Sequence, residues 1–399
     1  MMLKHLGHFR LPAGKQPHDP ALAEPLQDFA KFGWGGRAMG MMYQGNRALL
    51  ISGHNIGDLI AAVRIPKIGE TAEVRTGFRE LVPAAELLVN RLDELVGVVE
   101  HQGKVVGLYQ RYYDVSGVDG GRKSLWNGER LVQLGHGKLK DHAGYLTAYD
   151  GKLWCGRSSG AGNVDICHGP VLYEVLPDYG LLQHFEHTRD DWSPADAYTG
   201  LVFLPPGHVC WLVSKDVDLE PWYGTGSEVD QEHRNPPDWF TPDYAAQRGL
   251  SSGAWRAGWR NEEEWRAAWD EIGISDLWSD SKGYHCEHRE VWLLAYKWPI
   301  VPGDEGEIVK LEGFHESSDC GGLAFDAEAS RLYVFEAYPP DETTESGAYR
   351  KERGKIHVYQ FEEDGVSEPE PEPMTDEVTI HIEDVGWYSG KMRFRPEEE

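Results

Sequence analysis

The sequence predicts an all-β protein arranged as a five-bladed β-propeller, and three features of the chain carry that expectation. The first is a recurring phrase. Residues 320–337, "CGGLAFDAEASRLYVFEA", read as a glycine, a short apolar run, a polar turn and a second run rich in Tyr, Val and Phe. The same order recurs as "GMMYQGNRALLISGH" from Gly40, "GVVEHQGKVVGLYQRYY" from Gly97, "GYLTAYDGKLWCGRSS" from Gly144 and "GLVFLPPGHVCWLVSK" from Gly200. Each copy is a hairpin signal, since turn residues separate two runs of β-branched and aromatic side chains. Next, a third β-type run follows every copy: "LIAAVRIP" at 59, "KSLWNGE" at 123, "PVLYEVLP" at 170, "EVWLLAYKWP" at 290 and "GKIHVYQF" at 354. The second of these is the weakest. Finally, fourth runs come next at "RLVQLGH", "LLQHFEH" and "IVKLEGFH", giving antiparallel sheets of four strands repeated along the chain, the mark of a radial propeller.

The interval between Gly200 and Gly322 is more than twice any of the others and leaves room for a sixth blade. An insertion fits it better, because the fourth unit otherwise has no third strand before Glu290. The N-terminal "HLGHFRLP" is expected to complete the last blade, which would close the ring and remove its exposed edges. The domain reading is therefore a propeller over 1–363 with an insertion at 216–288 on one face, an acidic Pro-rich linker at 364–376, and a C-terminal hairpin and tail at 377–399. Within the insertion, "NEEEWRAAWDEIG" has helical character: Asn261 suits an N-cap, Glu262 to Glu264 suit the first turn, and Trp265, Trp269 and Ile272 share one face.

Composition narrows the function. With 39 basic against 66 acidic residues the net charge is −27, which opposes unspecific nucleic-acid binding because backbone neutralisation needs clustered Lys and Arg. The start "MMLKHLGHFRLPAGKQ" has no apolar core of a classical secretion signal, and no run is long enough to span a membrane. The five cysteines have no CxxC pair and read as free thiols of a chain made in a cytoplasm. "YHCEH" at 284–288 concentrates ligand-type side chains, yet its spacing matches no zinc signature. Phosphate-loop, dinucleotide, GxSxG and HExxH patterns are missing in any suitable context, so no cofactor is implied, and calcium is left as the one candidate ion for axial carboxylates.

Connection lengths separate the two faces of the ring. The turns from strand one to strand two are short, whereas the loops from strand two to strand three are long: "DVSGVDGGR", "SSGAGNVDICHG", the stretch after Lys215 and "PPDETTESGAYRKER". Function concentrates on long loops held by a rigid scaffold. That face also receives the starts of the inner strands and the ends of the second strands. The geometry collects Arg37, His54, Glu94, Arg111, Tyr113, His142, Arg157 and Tyr198 as ligand-binding candidates and Asp141, Asp196, Asp319 and Glu336 as axial acids. Trp255 and Trp259 of the insertion add aromatic faces suited to stacking on sugar rings.

Five blades with axial carboxylates resemble the furanosidase-type propellers of glycoside hydrolases in architecture, although no local motif of that family surrounds the acids. The resemblance implies a base, an acid and an orienting carboxylate among Asp141, Asp196, Asp319 and Glu336. Polysaccharide lyases on propellers use His, Tyr and Arg instead, for which His142, Tyr198, Arg37 and Arg157 would serve, but those families usually have seven blades. Separately, "LGHFRLP", "ALLISGHNIGDLIAAVRIP" and "GGLAFDAEASRLYVFEA" with "KIHVYQF" are similar to uncharacterised propeller proteins of environmental bacteria and tailed phages. That similarity implies a virion-associated capsid-decoration or tail protein. The expectation is a non-catalytic binding or structural-interaction propeller that meets protein partners through its arm or insertion, or surface glycans. A glycan-cleaving enzyme is the alternative.

Overall fold

The computed structural model describes residues 2–32, 38–43, 47–53, 59–83, 87, 94–110, 124–134, 143–157, 169–187, 196–217, 222–223, 284–285, 289–314, 319–337, 354–362, 377–382 and 386–391. The chain begins with strand β1 (Met2–Arg10) and a single helical turn, α1 (Glu24–Gln27). Four strands then form the first blade: β2 (Met39–Met42), β3 (Ala48–Ser52), β4 (Leu59–Arg64) and β5 (Val74–Glu80). The second blade is β6 (Glu94–His101), β7 (Lys104–Gln110), β8 (Ser124–Trp126) and β9 (Leu131–Gln133). Blade three follows as β10 (Ala143–Tyr149), β11 (Lys152–Arg157), β12 (Val171–Val175) and β13 (Leu181–Glu186).

In the fourth blade, β14 (Ala197–Leu204) and β15 (His208–Asp216) are separated from β18 (Arg289–Lys297) and β19 (Glu307–Lys310) by a small pair, β16 (Trp222–Tyr223) with β17 (Tyr284–His285). Because β15 and β18 are direct neighbours, with Lys215 opposite Glu290 and Asp216 opposite Arg289, the intervening chain is an insertion within one blade and not a sixth blade. The expected helix at 261–273 lies outside the described residues. The fifth blade is β20 (Asp319–Asp326), β21 (Arg331–Ala337) and β22 (Lys355–Glu362), completed by β1 as its outer strand. Ring closure by the N-terminal strand is thus as the sequence predicts. No helix among the described residues is long and apolar enough to cross a membrane.

By internal contacts the chain divides into two compact units, Lys4–Phe361 and Met1–Leu3 together with Glu362–Glu399. The second contains an antiparallel hairpin of β23 (Glu377–Ile382) and β24 (Gly386–Lys391), in register from Glu377 opposite Lys391 to Ile382 opposite Gly386.

Around the axis the inner strands touch in a closed cycle: β2 against β6, β6 against β10, β10 against β14, β14 against β20, and β20 against β2. Glycine makes that approach possible. A Cβ on Gly40 would lie 2.1 Å from the Val98 carbonyl oxygen, one on Gly97 2.5 Å from Leu146 Cβ, and one on Gly200 2.4 Å from Leu323 Cβ. The repeated glycine is therefore the residue that lets neighbouring blades meet backbone to backbone.

Apolar layers lie between consecutive blades, so the central strands are buried on both faces. Along β3, Leu49 and Ile51 join the cluster shared with blade five through Tyr333 and Phe335, while Ala48 and Leu50 join the one shared with blade two through Val98 and Tyr109. A strand covered on both sides reads as an unbroken apolar run, which is why "ALLIS" shows no polar alternation.

The inner strands of blades two to five each carry a register irregularity beside the anchor glycine, between Leu95 and Gly97, Ala143 and Tyr145, Tyr198 and Gly200, and Cys320 and Leu323. An extra residue in one strand inverts the facing of everything beyond it. Accordingly Leu95 and Val98, of opposite parity, face the same layer, as do Tyr198 and Leu201. The hairpin ends are tight: Gln102 and Gly103, and likewise Asp150 and Gly151, have positive φ at both central positions, the type I′ geometry that matches strand twist. Cys155, Cys210 and Cys320 are buried and form no disulfide, and burial pushes the thiol of Cys210 upward.

Gly200→Ala is expected to destabilise the ring by about 1–3 kcal/mol or more, the usual cost of overpacking a closed contact, visible as a lower urea midpoint. A variant as stable as the parent would remove close approach as the reason for the glycine.

Candidate functional site

The functional end indicated by the loop lengths is where strand one begins and strand two ends. Two polar clusters occupy it in neighbouring blades, and each arises because a charged residue ends an otherwise apolar strand.

In blade four, Asp196 immediately precedes β14, and Lys215 and Asp216 end β15, so the antiparallel pairing brings them together. The Lys215 ammonium lies 3.2 Å from Asp196 Oδ1 and 3.1 Å from Oδ2, and donates to the Asp216 carbonyl oxygen at 2.8 Å. The Asp216 backbone N–H donates to Asp196 Oδ1 at 2.8 Å, and the ammonium stands 5.8 Å from the centre of the Trp292 ring. Asp196 and Lys215 are 2% and 4% exposed. A buried pair of this kind is sustained by its complete set of hydrogen bonds, and its chemistry is to neutralise one charge with the other.

In blade five, Glu336 near the end of β21 stands opposite Lys355 at the start of β22. Its Oε2 accepts from His357 Nε2 at 2.9 Å and lies 3.9 Å from the Lys355 ammonium. Glu336 and His357 are each 1% exposed. The two blades meet at this end through Thr199 Oγ1 and Cys320 Sγ, 3.3 Å apart.

The sequence candidates distribute as follows. Asp196 and Glu336 stand at strand ends on the expected face, each inside a closed network. Tyr198 is buried in the layer between blades three and four, in one cluster with Tyr145 and Trp211. Asp319, Glu94 and Arg157 are placed by backbone at the first position of β20, the first of β6 and the last of β11. Arg37, His54, Arg111, Tyr113, Asp141, His142, Trp255 and Trp259 lie outside the described residues.

Sequence reasoning did not single out the partners: Asp216 and Lys355 at strand ends, His357 within "KIHVYQF", and His5 and His8 on β1. The available signal was a polar side chain interrupting an apolar strand, which marks a position needing an internal partner.

A concavity of about 490 Å³ lies elsewhere on the ring, between the end of β13 and the β18–β19 connection. Phe185, Ile300, Val301 and Pro302 form its apolar walls, with Glu186, Asp304 and Glu305 around them. His187 Nδ1 sits 2.8 Å from the Tyr296 hydroxyl beside it.

No family model matches the chain, and no curated protein matches it by sequence. Among solved structures it is similar to a thermostable family-43 glycoside hydrolase, at 10% identity over 84% of this chain and 93% of that one, with a TM-score of 0.40. It is also similar to the alpha-L-arabinofuranosidase from Lactobacillus brevis, at 8% identity, 88% and 96% coverage and a TM-score of 0.40. The phage phi92 endosialidase aligns at 9% identity over all of this chain and 58% of its own, with a TM-score of 0.36. Likenesses of this size assign no activity.

Lys215→Met should cost on the order of 3–5 kcal/mol by leaving the Asp196 carboxylate buried without its cation, and combining it with Asp196→Asn should recover much of that loss. Equal stability of the single and double variants in urea would contradict the pairing.

Proposed function

We propose that this propeller is a non-catalytic binding or structural-interaction module, working through the end that carries the long loops, with surface glycans or a protein partner within a virion as its target. The observation behind this reading is the state of Asp196 and Glu336, the two axial-acid candidates whose side chains are described. Both are almost wholly buried, and both spend their oxygens on internal partners. A glycoside hydrolase needs an acid within reach of the glycosidic oxygen and a second carboxyl about 5 to 9.5 Å away across an open pocket. Carboxylates that close strand ends serve a rigid frame instead, and a rigid frame with variable loops is the usual architecture of recognition. The aromatic content of the insertion, with Trp255 and Trp259, suits stacking against sugar rings.

The test is a glycan depolymerisation screen on purified protein, with and without calcium, read by reducing ends and by absorbance of unsaturated uronates, alongside binding of the same glycans. The expected result is no product with any glycan, together with binding that Trp255→Ala and Trp259→Ala weaken at least tenfold. Product formation that disappears in Asp141→Asn or Asp319→Asn would replace this reading with a glycoside hydrolase.

A further inference from the structure

The strand that closes the ring is held by an unusual contact. His5 and His8 on β1 pack against His357 of β22, with ring centres 5.3 and 5.6 Å from it. His5 Nε2 lies 3.2 Å from His357 Nδ1, and His357 Nε2 lies 2.9 Å from Glu336 Oε2. The contact is partly covered, with His357 buried and His5 and His8 half-buried. The Phe314 ring centre is 4.2 Å from that of His357, Tyr359 is 4.9 Å from His5, and a Cβ on Gly313 would fall 2.3 Å from the His5 ring.

Hydrogen-bond polarity limits how many protons this chain of groups can hold. With Glu336 ionised, His357 donates from Nε2, so its Nδ1 is a lone pair that accepts from His5 Nε2–H. Both imidazoles are satisfied when neutral. Protonating both His5 and His357 would place N–H against N–H at 3.2 Å, and a proton on His8 would put a further cation beside the same two rings. Among the described residues, the charged and titratable groups around the contact are Arg10 on β1, Lys355 and Tyr359 on β22, Glu336 on β21, Cys320 on β20 and Glu312 after β19, whose carbonyl oxygen accepts from the Tyr359 hydroxyl at 2.5 Å. Lys355 and Arg10 oppose a positive charge on His8 and Glu336 favours one, while Glu312 favours a positive charge on His5.

We propose that the three-histidine contact makes β1 an acid-released latch, seated on blade five while its imidazoles are neutral and displaced when His5 and His8 take up protons. Burial first, and then the neighbouring imidazoles and cations, hold both histidines below the ordinary value of 6.5. A seated strand that binds protons less readily than a released one is favoured above pH 6.5 and loses that preference as the pH falls below it. At pH 5.5 each histidine that must stay neutral costs the seated form up to about tenfold. Backbone bonds from Gly69 N to His8 O, Arg10 N to Glu70 O and Ala72 N to Arg10 O tie β1 to blade one as well, so release opens the seam between the first and last blades.

Amide hydrogen exchange on the full chain at pH 7.5 and 5.5, corrected for intrinsic rates, tests this. Protection across residues 4–10 should fall about tenfold or more on acidification, with residues 208–216 of β15 unchanged, and the fall should vanish in a His5→Gln/His8→Gln variant. Equal protection of β1 at both pH values, a full fall in the double variant, or simultaneous loss in β15 would each overturn the latch. Should the double variant fail to seat β1 at pH 7.5, the imidazole NMR titration of the parent decides. Midpoints of His5 and His8 well below 6.5 support the latch, and midpoints at or above 6.5 overturn it.

Discussion

Five strands can share one axis only if their backbones come closer than side chains allow, and the rest of this molecule follows from how that is achieved. Gly40, Gly97 and Gly200 face the next blade with nothing between the two backbones, and any Cβ there would penetrate a neighbouring carbonyl or Cβ. The bulges beside the glycines of blades two to five add a second consequence. They turn the strand past its contact, so that the side chains beyond the glycine fall back into phase with the layer between blades. Glycine and bulge act together: one permits the approach, and the other restores the packing after it.

That division explains what could be read in the chain beforehand. The glycine, the short turn and the paired apolar runs are local features, so the five hairpins and the third strands were legible, as was the closing role of "HLGHFRLP". The bulges were not, because an extra residue between Leu95 and Gly97 leaves no compositional mark inside a run that is apolar throughout. Blade two shows another limit: β8 and β9 are three residues each, too short for periodicity to accumulate. For the candidate site, strand order placed Asp196 and Glu336 on the correct face. It could not supply His357 as the partner of Glu336 or pair Lys215 with Asp196, because those pairings cross between strands and depend on register, which the bulge in β14 alters for Asp196 and Lys215.

The acidity of the chain and the neutrality of its interior are compatible for the same geometric reason. Inner and middle strands surrender both faces to neighbouring blades, so charge is confined to strand ends, outer strands and connections. The charges that enter at Asp196 with Lys215 and at Glu336 with His357 and Lys355 arrive with a partner from the adjacent strand, and the buried Asp326 meets Arg47 of blade one. Such pairs contribute little net stability compared with an apolar replacement, but they fix one alignment of the strand ends. Alignment at those ends sets where each long loop leaves the scaffold.

The pairing of Asp216 with Arg289 has a consequence for how this architecture can diversify. The chain departs from blade four and returns to it at the two ends of a single rung, on neighbouring strands about 5 Å apart. A segment whose two ends are already held side by side imposes almost no geometric demand on the frame, and lengthening it adds only a slowly growing closure entropy. Blade four therefore acts as a socket: the residues between those two paired positions can be exchanged for a segment of different length and chemistry while the ring keeps its register, separating inheritance of the frame from inheritance of what it carries.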